Sequence, residues 1–165
     1  MRWKVSEMSF VIEQASTADI PELVELRIGY LTVDFGALSE DQRRELGFEL
    51  PNYLRFKLGR DLLVFVARDG QGGRIATCAW LLLVDKPPSP RFPHGRTGVL
   101  FNVFTVPRYR RRGLARQVME LLIEDARARA LDVVELHATE DGYPLYRGLG
   151  FEDDSTTHVP MRLML

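Results

Sequence analysis

Between Val103 and Glu120 the chain reads VFTVPRYRRRGLARQVME, with five arginines (Arg108, Arg110, Arg111, Arg112 and Arg116) close together and one glycine, Gly113, where a helical apolar periodicity begins. The start of a helix leaves about four backbone N–H groups without intrahelical partners and gathers roughly half a positive charge there. A Ser, Thr, Asp or Asn side chain ordinarily covers those donors. None of these occurs from Pro107 to Glu120. The N–H groups of Arg112, Gly113, Leu114 and Ala115 must therefore bond water or an external anion. Gly113 lets the backbone come close to a phosphate, Ala115 does not obstruct it, and the nearby guanidinium groups add charge-assisted bonds. The chemistry implied is capture of a phosphorylated ligand. Three alternatives compete: a helix that simply starts in water, a nucleic-acid patch and an ATP-binding P-loop. A patch fits poorly with a net charge of −1 and with no aromatic interleaving beyond Tyr109. A P-loop needs Gly-Lys-Ser/Thr, and the chain has no Gly-Lys pair.

Other reactive side chains are scattered. His94, His137 and His158 stand in a proline-rich loop, a strand and a terminal turn, without the spacing of metal ligands, so no metal site is expected. The lone cysteine, Cys78, lies in an apolar strand where a small buried hydrophobe is the ordinary reading. Trp80 and Phe65 read as core.

Stepping outward from the arginines, Gly98 to Val106 is a strand leading into the motif, and Arg112 to Ala130 is the clearest helix. Leu114, Val118, Leu121, Leu122 and Ala126 share one of its faces. Asp132 to Ala138 alternates as a strand, and Tyr143 to Leu149 is a short helix ended by Gly150. Phe151 to Asp154 and Val159 to Leu165 read as closing strands, with Pro160 favouring an edge. Upstream, Ser9 to Ala15 is a short strand. A helix capped by Thr17, with Asp19, Pro21 and Glu22 near its start, runs to about Tyr30. A second helix starts near Ser39 and is expected to break or kink at Pro51. Asp61 to Arg68 and Arg74 to Val84 read as a hairpin around the turn at 69–73. The proline-rich stretch 85–97 has the length of a flap or an interface loop.

Composition frames these elements. With 165 residues, 45% apolar and 27% charged, the chain suits a single α/β domain spanning 1–165, residues 1–7 being a flexible lead and Met8 an alternative start. One cysteine forbids an intrachain disulfide and suits a reducing compartment. The longest apolar stretch, Ile75 to Val84, is half of what a membrane helix requires, and the near-neutral charge argues against nucleic acid or anionic lipid as partners. A cytoplasmic location is expected.

The segment Arg110-Arg111-Arg112-Gly113-Leu114-Ala115, after a strand and opening a helix, resembles the signature of the GNAT superfamily of acyl-CoA-dependent N-acyltransferases. LHATEDGYPLYRGLGF, Leu136 to Phe151, is similar to the same family's strand followed by a short helix with Leu-Tyr and a final Gly-Phe. The resemblance implies a mixed, mostly antiparallel central sheet of about six to seven strands with helices on both faces. It implies acetyl-CoA as co-substrate, without a metal, and transfer of the acetyl group to a primary amine of a small molecule or peptide by direct attack in a ternary complex. Carried over by position, the pyrophosphate cradle falls on Arg111, Arg112, Gly113, Leu114 and Ala115, with Arg116 at its edge. Phe104, Thr105 and Val106 would pair with the pantetheine arm and supply an oxyanion donor. Tyr146 would protonate the leaving thiolate, with Tyr143 its rival. Where several relatives carry a glutamate before the signature, this strand holds Asn102, which can orient a water but cannot take a proton. Glu140 and Asp141, or a water chain, remain as routes for the amine's proton. The alternative is a catalytically silent acyl-CoA-binding sensor or regulatory module. A homodimer is compatible with either. The acceptor is expected to meet the first two helices and residues 85–97, where Arg27, Tyr30, Asp34 and Tyr53 are among the residues on offer, and nothing in their spacing names an amine.

Overall fold

Five stretches of alternating or continuously apolar sequence pair into one open sheet in the order β1 (Phe10–Gln14), β2 (Leu62–Asp69), β3 (Ile75–Asp85), β4 (Arg96–Thr105) and β5 (Val133–Glu135). The computed structural model describes residues 9–70, 73–154, 156 and 158–165. Neighbouring strands are antiparallel except β4 and β5, which are parallel. Side chains alternate across a pleated strand, so each inner strand feeds two cores. Leu63, Phe65, Ala79, Leu81 and Leu100 pack on one face against α3 (Leu114–Ala128). Val64, Val66, Cys78 and Trp80 pack on the other against Leu23 and Leu26 of α1 (Ile20–Phe35) and Leu54 of α2 (Glu40–Lys57). A short helix, α4 (Tyr143–Gly148), follows β5.

The expectation of six to seven strands is corrected to five among the described residues. Phe151 to Asp154 and Val159 to Leu165, read as closing strands, form none. Glu152, Asp153 and Asp154 are consecutive acids, a poor strand composition. Two of them are held by side chains instead: Tyr143 Oη donates to Asp153 Oδ1 (3.0 Å), and Arg91 Nη2 donates to Asp154 Oδ1 (3.0 Å). The edge strand β5 spans three residues, and Pro160 brings no donor.

The helix ends follow local chemistry. The first turn, Thr17–Asp19, is capped by Ser16 rather than Thr17: Ser16 Oγ accepts from Ala18 N and Asp19 Oδ2 accepts from Ser16 N. α1 continues past Tyr30 to Phe35, where Gly36 adopts φ 83°. α2 starts as expected from a Ser39/Gln42 capping box, but Pro51 neither breaks nor ends it. The carbonyl that Pro51 leaves without a donor belongs to Gly47, whose surroundings are open, so it can tilt toward water. Residues 86–95 prolong the β3–β4 hairpin. Lys86 N donates to Gly95 O (2.7 Å), and a side chain at Gly95 would collide with Lys86 O. His94 ties this segment to the start of β5 through Asp132 (Nδ1 to Oδ1, 2.7 Å).

Candidate active site at the opening between β4 and β5

β4 and β5 pair only from Thr97–Val133 to Val99–Glu135, after which β4 runs on to Thr105 without that neighbour. The cause lies in β4 itself. Its register with β3 shifts between Cys78–Phe104 and Trp80–Phe101, so that two residues face Ala79, and Asn102 takes φ 52°. A bulge of this kind bends a strand and increases its twist. Asparagine tolerates the left-handed region better than most residues. Asn102 is 2% exposed, its Oδ1 accepts from Arg27 Nη1 of α1 (3.1 Å), and its Nδ2 faces Cys78 Sγ (3.5 Å). Each end of the amide makes one contact and keeps a second bonding position, and it is burial that separates Asn102 from solvent.

Beyond the bulge, Val106 N donates to Ala76 O (2.9 Å) and Thr105 stands opposite Thr77. In an antiparallel ladder, polar groups of successive residues point in opposite directions. The N–H and C=O of Thr105 therefore turn away from β3 into the opening, whereas the Val106 N–H is spent inside the sheet. Phe104 turns its ring to α1, edge-on to Tyr30 with centroids 6.4 Å apart.

A tight turn at Pro107–Tyr109 leads from β4 to α3. Tyr109 is buried and its hydroxyl donates to Asp69, with Arg108 and Arg112 on its ring at 4.7 and 6.0 Å. Arg110 Nε donates to Thr105 O (3.1 Å), and Arg116 Nη1 to Gly148 O (3.3 Å). Most of the arginine cluster thus braces the turn, and the unbonded donors at the helix start belong to the backbone. Arg111 (φ 63°) and Gly113 (φ 72°) both lie in the left-handed region, Gly113 is the N-cap residue, and no side chain caps the helix. The first helical bond, Gln117 N to Gly113 O (3.2 Å), leaves the N–H groups of Leu114, Ala115 and Arg116 free of the helix. A Cβ built on Gly113 meets nothing within 4 Å, so the space over these donors is open. Leu114 points inward, 3% exposed, and fixes the helix on the sheet.

Tyr146, on α4, packs edge-on to Phe151 (5.9 Å). Burial, with a further contribution from the charge Tyr30 would carry, pushes its phenol up to about 12, and its hydroxyl bonds no other described residue. Tyr30 comes from α1 on one face of the sheet and Tyr146 from α4 on the other. The sequence shows Tyr30 only as one of several polar residues of α1; its helical position one turn after Arg27 is legible there, its packing on Phe104 is not. Tyr143 turns its hydroxyl to Asp153, and Glu140 and Asp141 are exposed. Tyr146 also lines a cleft of about 1020 Å³ along β5 with Ile123, Val134, Leu136 and Phe151. None of Arg111–Arg116 belongs to it.

Cys78 is fully buried. Burial pushes its thiol up to about 12, and Sγ donates to Asn102 O (3.7 Å). A thiol so held stays neutral and has no path to a substrate. Among the described residues no helix is long and apolar enough to cross a membrane.

The model of the acetyltransferase (GNAT) family matches residues 22–151. No curated protein gives a significant match. Among solved structures, a predicted acetyltransferase with acetyl-CoA from Clostridium acetobutylicum is 26% identical and superposes with a TM-score of 0.78, over 93% of this chain and 96% of that one. An acetyltransferase of Trypanosoma brucei is also 26% identical, with a TM-score of 0.69 over 95% and 100%. A GCN5-related N-acetyltransferase from Ralstonia eutropha, 22% identical with a TM-score of 0.69 over 93% and 99%, shares the fold.

Proposed function

We propose, from the premise that the chain belongs to the acetyltransferase (GNAT) family and is an acyltransferase, that it moves an acetyl group from acetyl-CoA to a primary amine of a small molecule or peptide by direct attack in a ternary complex. The observation that carries this reading is the uncapped start of α3, set beside a strand that runs on to Thr105 past the end of its β5 neighbour. The residues fit the co-substrate. A diphosphate would lie on the N–H groups of Arg111 to Ala115 and on Arg116 N–H, over the open face of Gly113. An amide-bearing arm would pair as an added strand with the outward polar groups of β4 around Thr105. The thioester, when bound, supplies the acyl carbon that the amine attacks.

The protein's own groups then have three tasks. Thr105 N–H, pointing into the opening, donates to the carbonyl oxygen as negative charge develops there. Tyr146, still protonated at any physiological pH, donates its phenol proton to the departing sulfur. Asn102 holds the bulge that aims both β4 and the opening. The amine's proton leaves to water, because β4 offers no carboxylate. Cys78, buried and neutral, cannot carry an acyl group, which supports direct attack. The whole chain is read as one acetyltransferase domain, and its free thiol suits a reducing cytoplasm.

The test is a thermal-shift titration with acetyl-CoA followed by free-thiol detection over an amine panel. Saturation near a hundredfold over Kd should raise Tm by about 5–10 °C. Gly113→Asp sets a carboxylate among the phosphate donors and a Cβ on a left-handed residue, and should abolish that rise. An unchanged affinity for acetyl-CoA in this variant would place the cradle elsewhere.

A further inference from the structure

Two arginines are drawn into the body of the protein, and they are treated differently. Arg68, with its side chain 14% exposed, donates Nε to Glu13 (2.9 Å) and Nη2 to Asp19 (2.7 Å), and has Glu22 at 3.9 Å. Arg27, half-buried on α1, has no carboxylate within 4 Å among the described residues. Its guanidinium lies 5.5 Å from the ring centroid of Tyr30, 5.6 Å from that of Phe101 and 6.0 Å from that of Trp80. One of its five N–H groups is used, on Asn102 Oδ1 (3.1 Å). The other four have no acceptor among the described residues. A guanidinium partly withdrawn from water with no carboxylate in contact carries a cost, and burial lowers the pKa of Arg27. An aromatic cage is a partial substitute, since ring faces attract cations weakly.

The place of this cation matters more than its cost. Arg27 bonds the bulge residue of β4, and Tyr30, one helical turn further along α1, packs edge-on to Phe104 of the same strand. The cation therefore stands against the bend of β4, beside the strand along which the thioester would lie. It lies on the α1 side of the sheet, away from the donors of α3. We propose that Arg27 is the anion subsite of the acceptor: the amine this enzyme acetylates also carries a carboxylate, which completes the hydrogen bonds of the caged guanidinium. One guanidinium, with a pair of N–H groups free, matches a singly charged carboxylate better than a dianionic phosphate. The inference rests on the acetyltransferase reading and narrows its acceptor to amino acids and their relatives.

The experiment compares matched acceptors, an amino acid against the same amine with its carboxylate replaced by hydrogen or by carboxamide, such as phenylalanine with phenethylamine and β-alanine with its amide. The wild-type protein should favour carboxylated members by about 10-fold to 100-fold in kcat/KM, chiefly through KM. Arg27→Gln should bring the ratio to about 1, and Arg27→Lys should keep part of it. The acetyl-CoA thermal shift of each variant serves as the check on folding. A role confined to bracing Asn102 would lower both members of a pair alike, and that result overturns the proposal. So does wild-type transfer to carboxylate-free amines alone or to both members equally, either of which leaves the acetyltransferase reading standing. Acetyl-CoA binding without transfer to any carboxylated amine likewise overturns it, and absence of acetyl-CoA binding removes both readings.

Discussion

Tyr146 shows how one residue's environment sets its use. A phenol in water loses its proton near pH 10, and burial beside Phe151 with Tyr30 opposite moves this one to about 12. Raised in this way, it remains a proton donor wherever the acceptor amine is neutral enough to react. Tyr146→Phe should lower kcat at least tenfold while leaving KM for acetyl-CoA within about threefold, as read by thiol release. A wild-type rate at every pH would remove the acid role. In the wild type the rate should climb with deprotonation of the acceptor and show no fall from Tyr146 below about pH 11. The type and position of Tyr146 were legible in the short-helix motif. Its degree of burial depends on Phe151 and on the core under α3, which no local spacing describes.

At the scale of the element, the bulge in β4 and the turn after it decide the site. Asn102 keeps φ 52° with its amide bonded at both ends, and β5 parts from β4 three residues earlier. Asn102→Val combines a β-branched residue in the left-handed region with the loss of both contacts, and should cost about 2–4 kcal/mol in a urea titration. Asn102→Gly keeps the backbone freedom and should cost less than Asn102→Val. Equal stability of the valine variant and the wild type would show that the bulge is not held by this residue. The sequence announced the helix start at Gly113 because an absent cap is visible as an absent residue type. The bulge was invisible, because an asparagine in a strand carries no mark of its φ. The arginines have a further use that spacing did not show: Arg108 and Arg112 stack on Tyr109, and Arg110 and Arg116 bond carbonyls.

Over the whole molecule, the sheet is closed at its β1 side by an ion cluster. Arg68 joins Glu13 of β1 to Asp19 and Glu22 at the start of α1. Burial pushes the Asp19 carboxyl up, but the Ser16 N–H and the Arg68 guanidinium outweigh it and hold it below its ordinary 3.8. A carboxyl depressed in the folded state stabilises above its unfolded value and loses that contribution as pH falls through the folded one. Asp19→Asn should therefore cost about 1–3 kcal/mol at pH 7, and the gap to the wild type should narrow progressively as pH falls below 3.8 in acid titrations. A gap that persisted at pH 2 would assign the loss to packing. The sequence alone determined the layers, since period-2 and period-3.6 apolar patterns follow from backbone geometry, and it determined the uncapped helix start at Gly113, since that depends on neighbouring residues only. Tertiary structure decided the rest: five strands among the described residues and not six or seven, a continuous α2 through Pro51, and a half-buried arginine without an acid in contact. Each of these depends on what lies across space from a residue, on the length of the edge β5 offers or on which carboxylates reach a guanidinium, and that information is not carried by spacing along the chain.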